Sequence, residues 1–336
     1  MPFSERARVT VRRVAEAEDP VAAFLEADRD GALVAVPTSG SSAAPRTVLR
    51  TTASWTDSFP HLEELTGLGS ESRVWVPGPL TSTMNLFAAV HVAVLGASLV
   101  AGPETATHAV LTPAALERAL GPALAGVVAI VAGDGLSPAL HRRAVAQGVR
   151  VCHYYGAAEL SYVAWGPHRD ALRPFPGAEC RVVDGEIWVR SSYLCQGYDG
   201  APGPLRVRPD GFATVGDRGR LESGVLTVLG RDDAVTTGGA TVRLADVEAV
   251  LRPAARGDVL VVGAPHERLG AVLSAVLTDP ADLEPVRRLA RERLVGPERP
   301  RWWFHLPGLP LTEAGKVDRA AVTGAVASGD GARRLT

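Results

Sequence analysis

Residues 36–51 read VPTSGSSAAPRTVLRT, which places Thr38, Ser39, Gly40, Ser41 and Ser42 at the exit of an apolar run and then presents Arg46. Hydroxyls and small residues in such a turn leave backbone N–H groups pointing outward, a nest suited to phosphate oxygens. An ordinary Ser/Thr turn is the plain alternative. A P-loop is the other competitor, but it requires a second glycine and a lysine where this chain has Pro45, Arg46 and Thr47. Proline also has no N–H to offer a phosphate.

Three later segments carry further candidate chemistry. CHYYGAAEL (152–160) follows a strand-like run, so Tyr155 can stack on a purine and Glu159 can hold Mg²⁺, a hard cation that takes oxygen ligands. TVGDRGRLESGVLTVLGRDD (214–233) puts Asp217 in a turn, where a carboxylate can accept two ribose hydroxyls, with Arg231 fourteen residues on. LTEAGKVDR (311–319) sets Lys316 on a glycine-containing loop just ahead of a helix. Each also has a duller reading: Asp217 as a turn residue, Glu159 as a solvated acid, Arg231 as a surface ion pair and Lys316 as an exposed lysine.

The elements that must position these residues follow from periodicity. A helix is expected near Pro20–Ala27, followed by a buried strand in GALVAVPTSG and another in SRVWVPGP. MNLFAAVHVAVLGASLVAG reads as a buried helix and a strand, its apolar run interrupted by Asn85 and His91. Residues 112–156 then alternate helix and strand, the pattern of a mostly parallel α/β sheet. From Pro176 short β pieces separated by Gly and Asp turns imply an antiparallel or barrel-like subdomain. Past Gly230 a further unit is expected, with the helix LADVEAVLR, two strands and a helix opening at Asp282 with Pro285 in its first turn. The fold class is thus α/β. A large N-terminal domain (1–230) combines a mostly parallel sheet with a small β subdomain, and a small C-terminal domain (231–336) has α+β character.

Bulk properties narrow the function. The 336 residues are 46% hydrophobic and 21% charged, with a formal net charge of -2, which disfavours nucleic acid or an anionic membrane as partner and favours a small molecule. Cys152, Cys180 and Cys195 have no CxxC spacing, which fits reduced, buried thiols in the cytoplasm. No apolar leader or membrane span is read at the charged N-terminus. His153 reads as a strand-end residue without a catalytic task. Trp302 and Trp303 read as core of the small domain, and RRLARER as a solvated helix face supported by Glu284–Arg288 spacing, with a coenzyme A phosphate contact as the lesser reading.

Taken together and in this order, the four segments resemble the adenylate-forming superfamily of acyl-CoA synthetases, adenylation domains and luciferases. The resemblance runs from about Leu33 to Val322, and GRDDAVTTGGATV and GKVDRAAV are similar to stretches of compact o-succinylbenzoate–CoA ligases. It implies that Thr38–Ser42 and Arg46 cover the β- and γ-phosphates of ATP. Gly133, Asp134 and Gly135 would border the adenine, with Tyr155, Gly156 and Ala157 beside it. Glu159 would bind Mg²⁺, Asp217 and Arg231 the ribose, and Lys316 would bridge the carboxylate and the α-phosphate. Asp232 and Asp233 would form the hinge of a mobile C-terminal domain. The implied reaction is ATP-dependent activation of a small-molecule carboxylic acid and transfer to coenzyme A. A carrier-protein phosphopantetheine or an amine is the alternative acceptor, and a degenerate nucleotide-binding protein the alternative without catalysis.

Departures from the pattern are specific. Ala43 replaces a glycine, which would strain a left-handed backbone by about 1–2 kcal/mol. Arg46 replaces the usual lysine, and Ala158 replaces a threonine whose hydroxyl would contribute about 1–2 kcal/mol. The usual His or aromatic gate is missing around Pro79, Leu80 and Thr81, so a different acyl pocket is expected. About 36 residues precede the phosphate loop, far fewer than in the family, which implies that an N-terminal subdomain is largely absent and that exposed apolar surface could be covered by a second copy in a homodimer.

Overall fold

In a computed structural model of the chain, residues 10–38, 46–230, 234–237, 239–312 and 316–336 are described. They fall into two compact units. The first runs to Thr227 except for Ser137–Ala139 and Asp217–Gly219, which group with the second, Val228–Thr336.

The first unit opens with β1 (Val11–Arg12), α1 (Pro20–Asp30), β2 (Leu33–Pro37) and β3 (Thr47–Arg50). The reason α1 starts and stops where it does is local. Asp19 accepts from the Val21 and Ala22 amides, Pro20 occupies the first turn, and Gly31 closes the helix at φ +64°. Helices α2 (Ala53–Thr56) and α3 (Phe59–Thr66) follow. They lead to the alternation β4 (Arg73–Trp75), α4 (Thr83–Leu95), β5 (Ser98–Val100), β6 (His108–Leu111), α5 (Pro113–Ala119), β7 (Val128–Val131), α6 (Pro138–Ala146) and β8 (Arg150–Ala157). Strands β4 to β8 pair in parallel, while β9 (Ser161–Gly166) and β10 (Arg173–Pro174) return antiparallel, completing a seven-stranded sheet of order β10-β9-β8-β7-β6-β4-β5. Helix α4 buries every residue from Asn85 to Val92, as its unbroken apolar run requires.

The β-rich segment comprises β11 (Glu179–Val183), β12 (Glu186–Arg190), β13 (Gly197–Asp199), β14 (Arg206–Val207), β15 (Ala213–Thr214), β16 (Arg218–Glu222) and β17 (Val225–Gly230). All but one belong to a single sheet, β14-β15-β12-β16-β17, with β11 against β12. The exception is β13, which leaves its sequence neighbours and pairs antiparallel with β3, so that β1-β2-β3-β13 forms a separate four-stranded sheet.

The second unit holds β18 (Ala234–Thr237), β19 (Ala240–Arg243), α7 (Leu244–Leu251), β20 (Val259–His266), β21 (Gly270–Leu277), α8 (Leu283–Arg293), β22 (Trp302–His305), α9 (Arg319–Ser328) and β23 (Arg333–Leu335). Alternation along β20 sorts its side chains. Val259 and Val261 pack with α7 and α8, while Leu260 and Val262 pack with α9. Trp303 joins the first of these cores, whereas Trp302 is half-buried beneath Arg334 at 5.0 Å. In α8 Glu284 pairs with Arg287 rather than Arg288, because the (i, i+3) position brings that guanidinium back over Trp303.

Candidate functional site

Strands β2 and β3 form a hairpin in register Pro37 to Thr47, and the loop between them is closed by its first and last residues. The Thr38 amide donates to the Arg46 carbonyl at 2.7 Å, and the Arg46 amide donates back to Thr38 Oγ1 at 3.3 Å. Ser39, Gly40, Ser41, Ser42 and Ala43 lie outside the described residues.

The adjacent parallel strands β7 and β8, paired Val131 to His153, bring their C-terminal ends together, the usual place for a ligand on an open α/β sheet. Gly133 follows β7 with φ +89°, a conformation that favours glycine, and Asp134 accepts from the Gly135 amide at 2.7 Å. Tyr155, Gly156 and Ala157 end β8, where the register shifts between Tyr155 and Gly156. A Cβ on Gly156 would sit 2.1 Å from the Ser161 carbonyl oxygen, so the bulge requires glycine. His153 is structural: its Nδ1 bonds to the Val131 carbonyl at 2.9 Å, and burial lowers its pKa to about 4.

Glu159 is not solvated. It is 4% exposed, and its carboxylate accepts from the Tyr198 hydroxyl at 2.8 Å, while its carbonyl accepts from the Cys195 amide at 2.9 Å. The preceding residue, Ala158, gives its carbonyl to Arg50, whose fully buried guanidinium also binds the Tyr193 carbonyl and Ser54 Oγ. Burial lowers the Arg50 pKa to about 10 despite the nearby Cys195 and Glu159. Arg50 and Tyr198 are residues that the motifs did not single out. Both sit on the four-stranded sheet that holds β2 and β3, so one small sheet ties that hairpin to Glu159. In β3 Val48 and Arg50 face inward, but the residues TVLR do not themselves alternate, so no local pattern marks Arg50 as buried.

In the second unit Asp217 is buried just before β16. Lys316 is half-buried rather than exposed, because its loop is closed by the same device as the first. The Thr312 amide donates to the Lys316 carbonyl at 2.7 Å, and the Lys316 amide donates to Thr312 Oγ1 at 3.2 Å. Just beyond it Arg319 pairs with the buried Glu248 at 2.7 Å, fixing the start of α9. Arg231, Asp232 and Asp233 lie outside the described residues. Cys152 and Cys180 are buried free thiols and Cys195 a partly buried one.

No family model matches the chain. A probable 2-succinylbenzoate–CoA ligase of Mycobacterium tuberculosis is 32% identical over 329 residues, covering 88% of this chain and 84% of the relative. An uncharacterized acyl-CoA ligase of Bacillus subtilis, YhfT, is 26% identical over 324 residues, covering 85% and 67%. Among solved structures, ATP-bound MatB of Rhodopseudomonas palustris superposes with a TM-score of 0.71 at 22% identity, covering 87% of this chain and 67% of that one, a likeness of fold. The alternation that builds the parallel sheet, the loops that end β2, β7 and β8, and this level of identity over most of a relative's length agree: the chain belongs to the adenylate-forming acyl-CoA ligases.

Proposed function

We propose that the chain activates a carboxylic acid with ATP and passes the acyl group to the thiol of coenzyme A. The observation that carries this is the convergence, in the first unit, of the β7 and β8 ends on Gly133 and Tyr155, with Glu159 held rigidly by the sheet whose β2–β3 loop Thr38 and Arg46 close. In this reading Tyr155 stacks on the adenine against Gly133, Arg46 and the Thr38–Ser42 backbone grip the β- and γ-phosphates, and Asp217 and Arg231 bind the ribose.

A carboxylate oxygen attacks the α-phosphorus, and the bond to the bridging oxygen breaks, so that pyrophosphate leaves with the electron pair. Two anions meet in that step, and Lys316 supplies the cation where charge builds up. The thiol then gives its proton to solvent, its sulfur attacks the acyl carbon, and AMP departs with the electron pair as the C–O bond breaks. Rotation of the C-terminal domain about Asp232 and Asp233 exchanges the two half-reactions.

The Glu159 carboxylate suits Mg²⁺, a hard cation that takes oxygen ligands: Tyr198 bonds its Oε1, and Oε2 is the oxygen that would meet the ion. When bound, Mg²⁺ neutralises phosphate charge. Among the described residues no helix is long and apolar enough to cross a membrane.

A carrier-protein acceptor is the second reading. A phenyloxazoline synthase, MbtB, of a Mycobacterium strain is 29% identical over 85% of this chain, though that match spans only 29% of the relative. Lys316→Ala is expected to lower acid-dependent pyrophosphate release at least 100-fold while ATP still binds. Undiminished release would remove Lys316 from the mechanism. Comparing coenzyme A with a phosphopantetheinylated carrier protein as acceptor decides the second step.

A further inference from the structure

The second unit places an ion pair just beyond Lys316. Glu248 of α7 is buried, and its Oε1 accepts from Arg319 Nη1 at 2.7 Å and from the Val261 amide at 2.9 Å, while its Oε2 accepts from Arg252 at 3.2 Å. The same Arg319 nitrogen also donates to the Val261 carbonyl. Val261 lies in β20, which among the described residues pairs with β21 alone. In an antiparallel pair alternate residues point both backbone groups away from the partner strand, and buried backbone groups need partners. At Val261 the carboxylate meets the N–H and the guanidinium meets the C=O. Glu248 and Arg319 thus stand where a further strand would be.

One member of the pair comes from α7 and the other from the first residue of α9, helices that pack on opposite faces of β20. The pair staples them together across the edge of the sheet. Lys316 sits on the free side of this staple. Its loop is closed on itself through Thr312, through a bridge between Leu311 and Val317, and through the Asp318 amide, which donates to the Pro310 carbonyl at 2.8 Å. These bonds fix the shape of the loop and not its place on the unit. Place comes from Leu309 and Val317, whose apolar packing against the α9 core is non-directional, and from the directed bonds of Arg319. Asp318 joins the two by accepting from the Ala321 amide at the start of α9, so a shift of that helix end is passed to the lysine two residues earlier.

Resting on the reading that Lys316 supplies the cation for adenylation, we infer that Glu248 and Arg319 are positioning residues for Lys316 and set the rate of the first half-reaction alone. The second half-reaction, attack of a thiol on an acyl-adenylate already formed, brings no two anions together and gives Lys316 no task. Misplacing a catalytic group by about 1 Å costs about 100-fold, so loosening the staple is expected to slow adenylation at least tenfold.

The test compares the full-length protein with Glu248→Gln, which keeps the volume and removes the charge, and with Arg319→Met, which keeps the stem and removes the donors; each stands in for the other if one fails to fold. Hydrogen–deuterium exchange over residues 310–319 is expected to quicken at least tenfold, with β21 unchanged. Pyrophosphate release is followed with ATP, Mg²⁺ and whichever of butyrate, benzoate, phenylalanine and 2-succinylbenzoate the unaltered protein turns over fastest. Its kcat should fall at least tenfold, with KM for ATP within threefold. Thioester formation from the synthetic adenylate of the same acid and coenzyme A should stay within twofold, and the double variant should be no slower than the slower single one. Equal losses in both half-reactions would reduce the pair to a structural role and overturn the inference. Unchanged exchange in both variants would overturn it without any acid. Full pyrophosphate release by both variants, where Lys316→Ala is impaired, would overturn the inference alone; full release by Lys316→Ala would overturn the reading beneath it as well.

Discussion

Removing one hydroxyl, by Tyr198→Phe, tests whether Glu159 is held from the neighbouring sheet. That hydroxyl donates to the buried Glu159 carboxylate at 2.8 Å and accepts from the Leu205 amide at 3.2 Å. A bond to a charged group contributes about 1.5–3 kcal/mol, and the half-buried amide adds about 0.5–1 kcal/mol when its acceptor is lost. The expected cost is therefore about 2–4 kcal/mol. Tyr193→Phe is the internal control. Its hydroxyl donates to the neutral Pro176 carbonyl at 2.9 Å, so that loss is about 1 kcal/mol. In urea, with a slope of roughly 3 kcal/mol per molar for a unit of this size, the midpoint should fall by about 1 M for Tyr198→Phe and by about 0.3 M for Tyr193→Phe. Tryptophan fluorescence follows the transition, since Trp55 is buried in the core of the first unit. Equal shifts for the two variants would refute the claim that Tyr198 restrains a buried carboxylate.

Gly156→Ala should cost about 3 kcal/mol or prevent folding, because the added methyl meets backbone rather than a movable side chain; a thermal melt reads this. His153 makes stability depend on pH. Its folded pKa of about 4 lies below the unfolded value near 6.5, so the unfolded chain binds more protons between these limits. Stability is full above pH 6.5 and falls as pH drops towards 4, by about 3 kcal/mol in all. In His153→Gln this part of the acid dependence of the urea midpoint should disappear. Thr312→Val removes the acceptor that closes the Lys316 loop. Its pyrophosphate release should fall roughly tenfold with a stability loss of about 1 kcal/mol or less.

Much of the fold was legible because its signals are local. Helix and strand alternate between Thr112 and Gly156, Asp19 and Pro20 announce α1, and the apolar run of α4 interrupted by Asn85 and His91 can only be core. The approach to Gly133 and Tyr155 was readable for the same reason: each follows a strand that runs into a turn. Other features depend on what lies far along the chain. The three residues Gly197–Asp199 carry no strand period of their own, and only pairing with β3 makes them β13. Neither the inward turn of Arg50 nor its partners, Ala158 and Tyr193, can be read from TVLR, where Val48 and Leu49 are consecutive apolar residues. Nor does any local pattern mark β23, whose three residues become a strand against β22. The half-buried state of Lys316 follows from a loop closure that the sequence contains, in Thr312, without advertising it.

The pairing of β13 with β3 has a consequence for how the protein is made. Arg50 and the Tyr193 carbonyl that it binds are 143 residues apart. At about 5–20 residues per second of synthesis, the ribosome takes roughly 7–30 seconds to span that gap. Throughout that interval the nascent hairpin presents an unpartnered strand edge, and the Arg50 guanidinium still lacks the last of its carbonyl partners, a period in which such edges recruit other chains. By the roles proposed for Asp217 and Arg231, nucleotide binding should switch on later still, after residue 231 has left the exit tunnel.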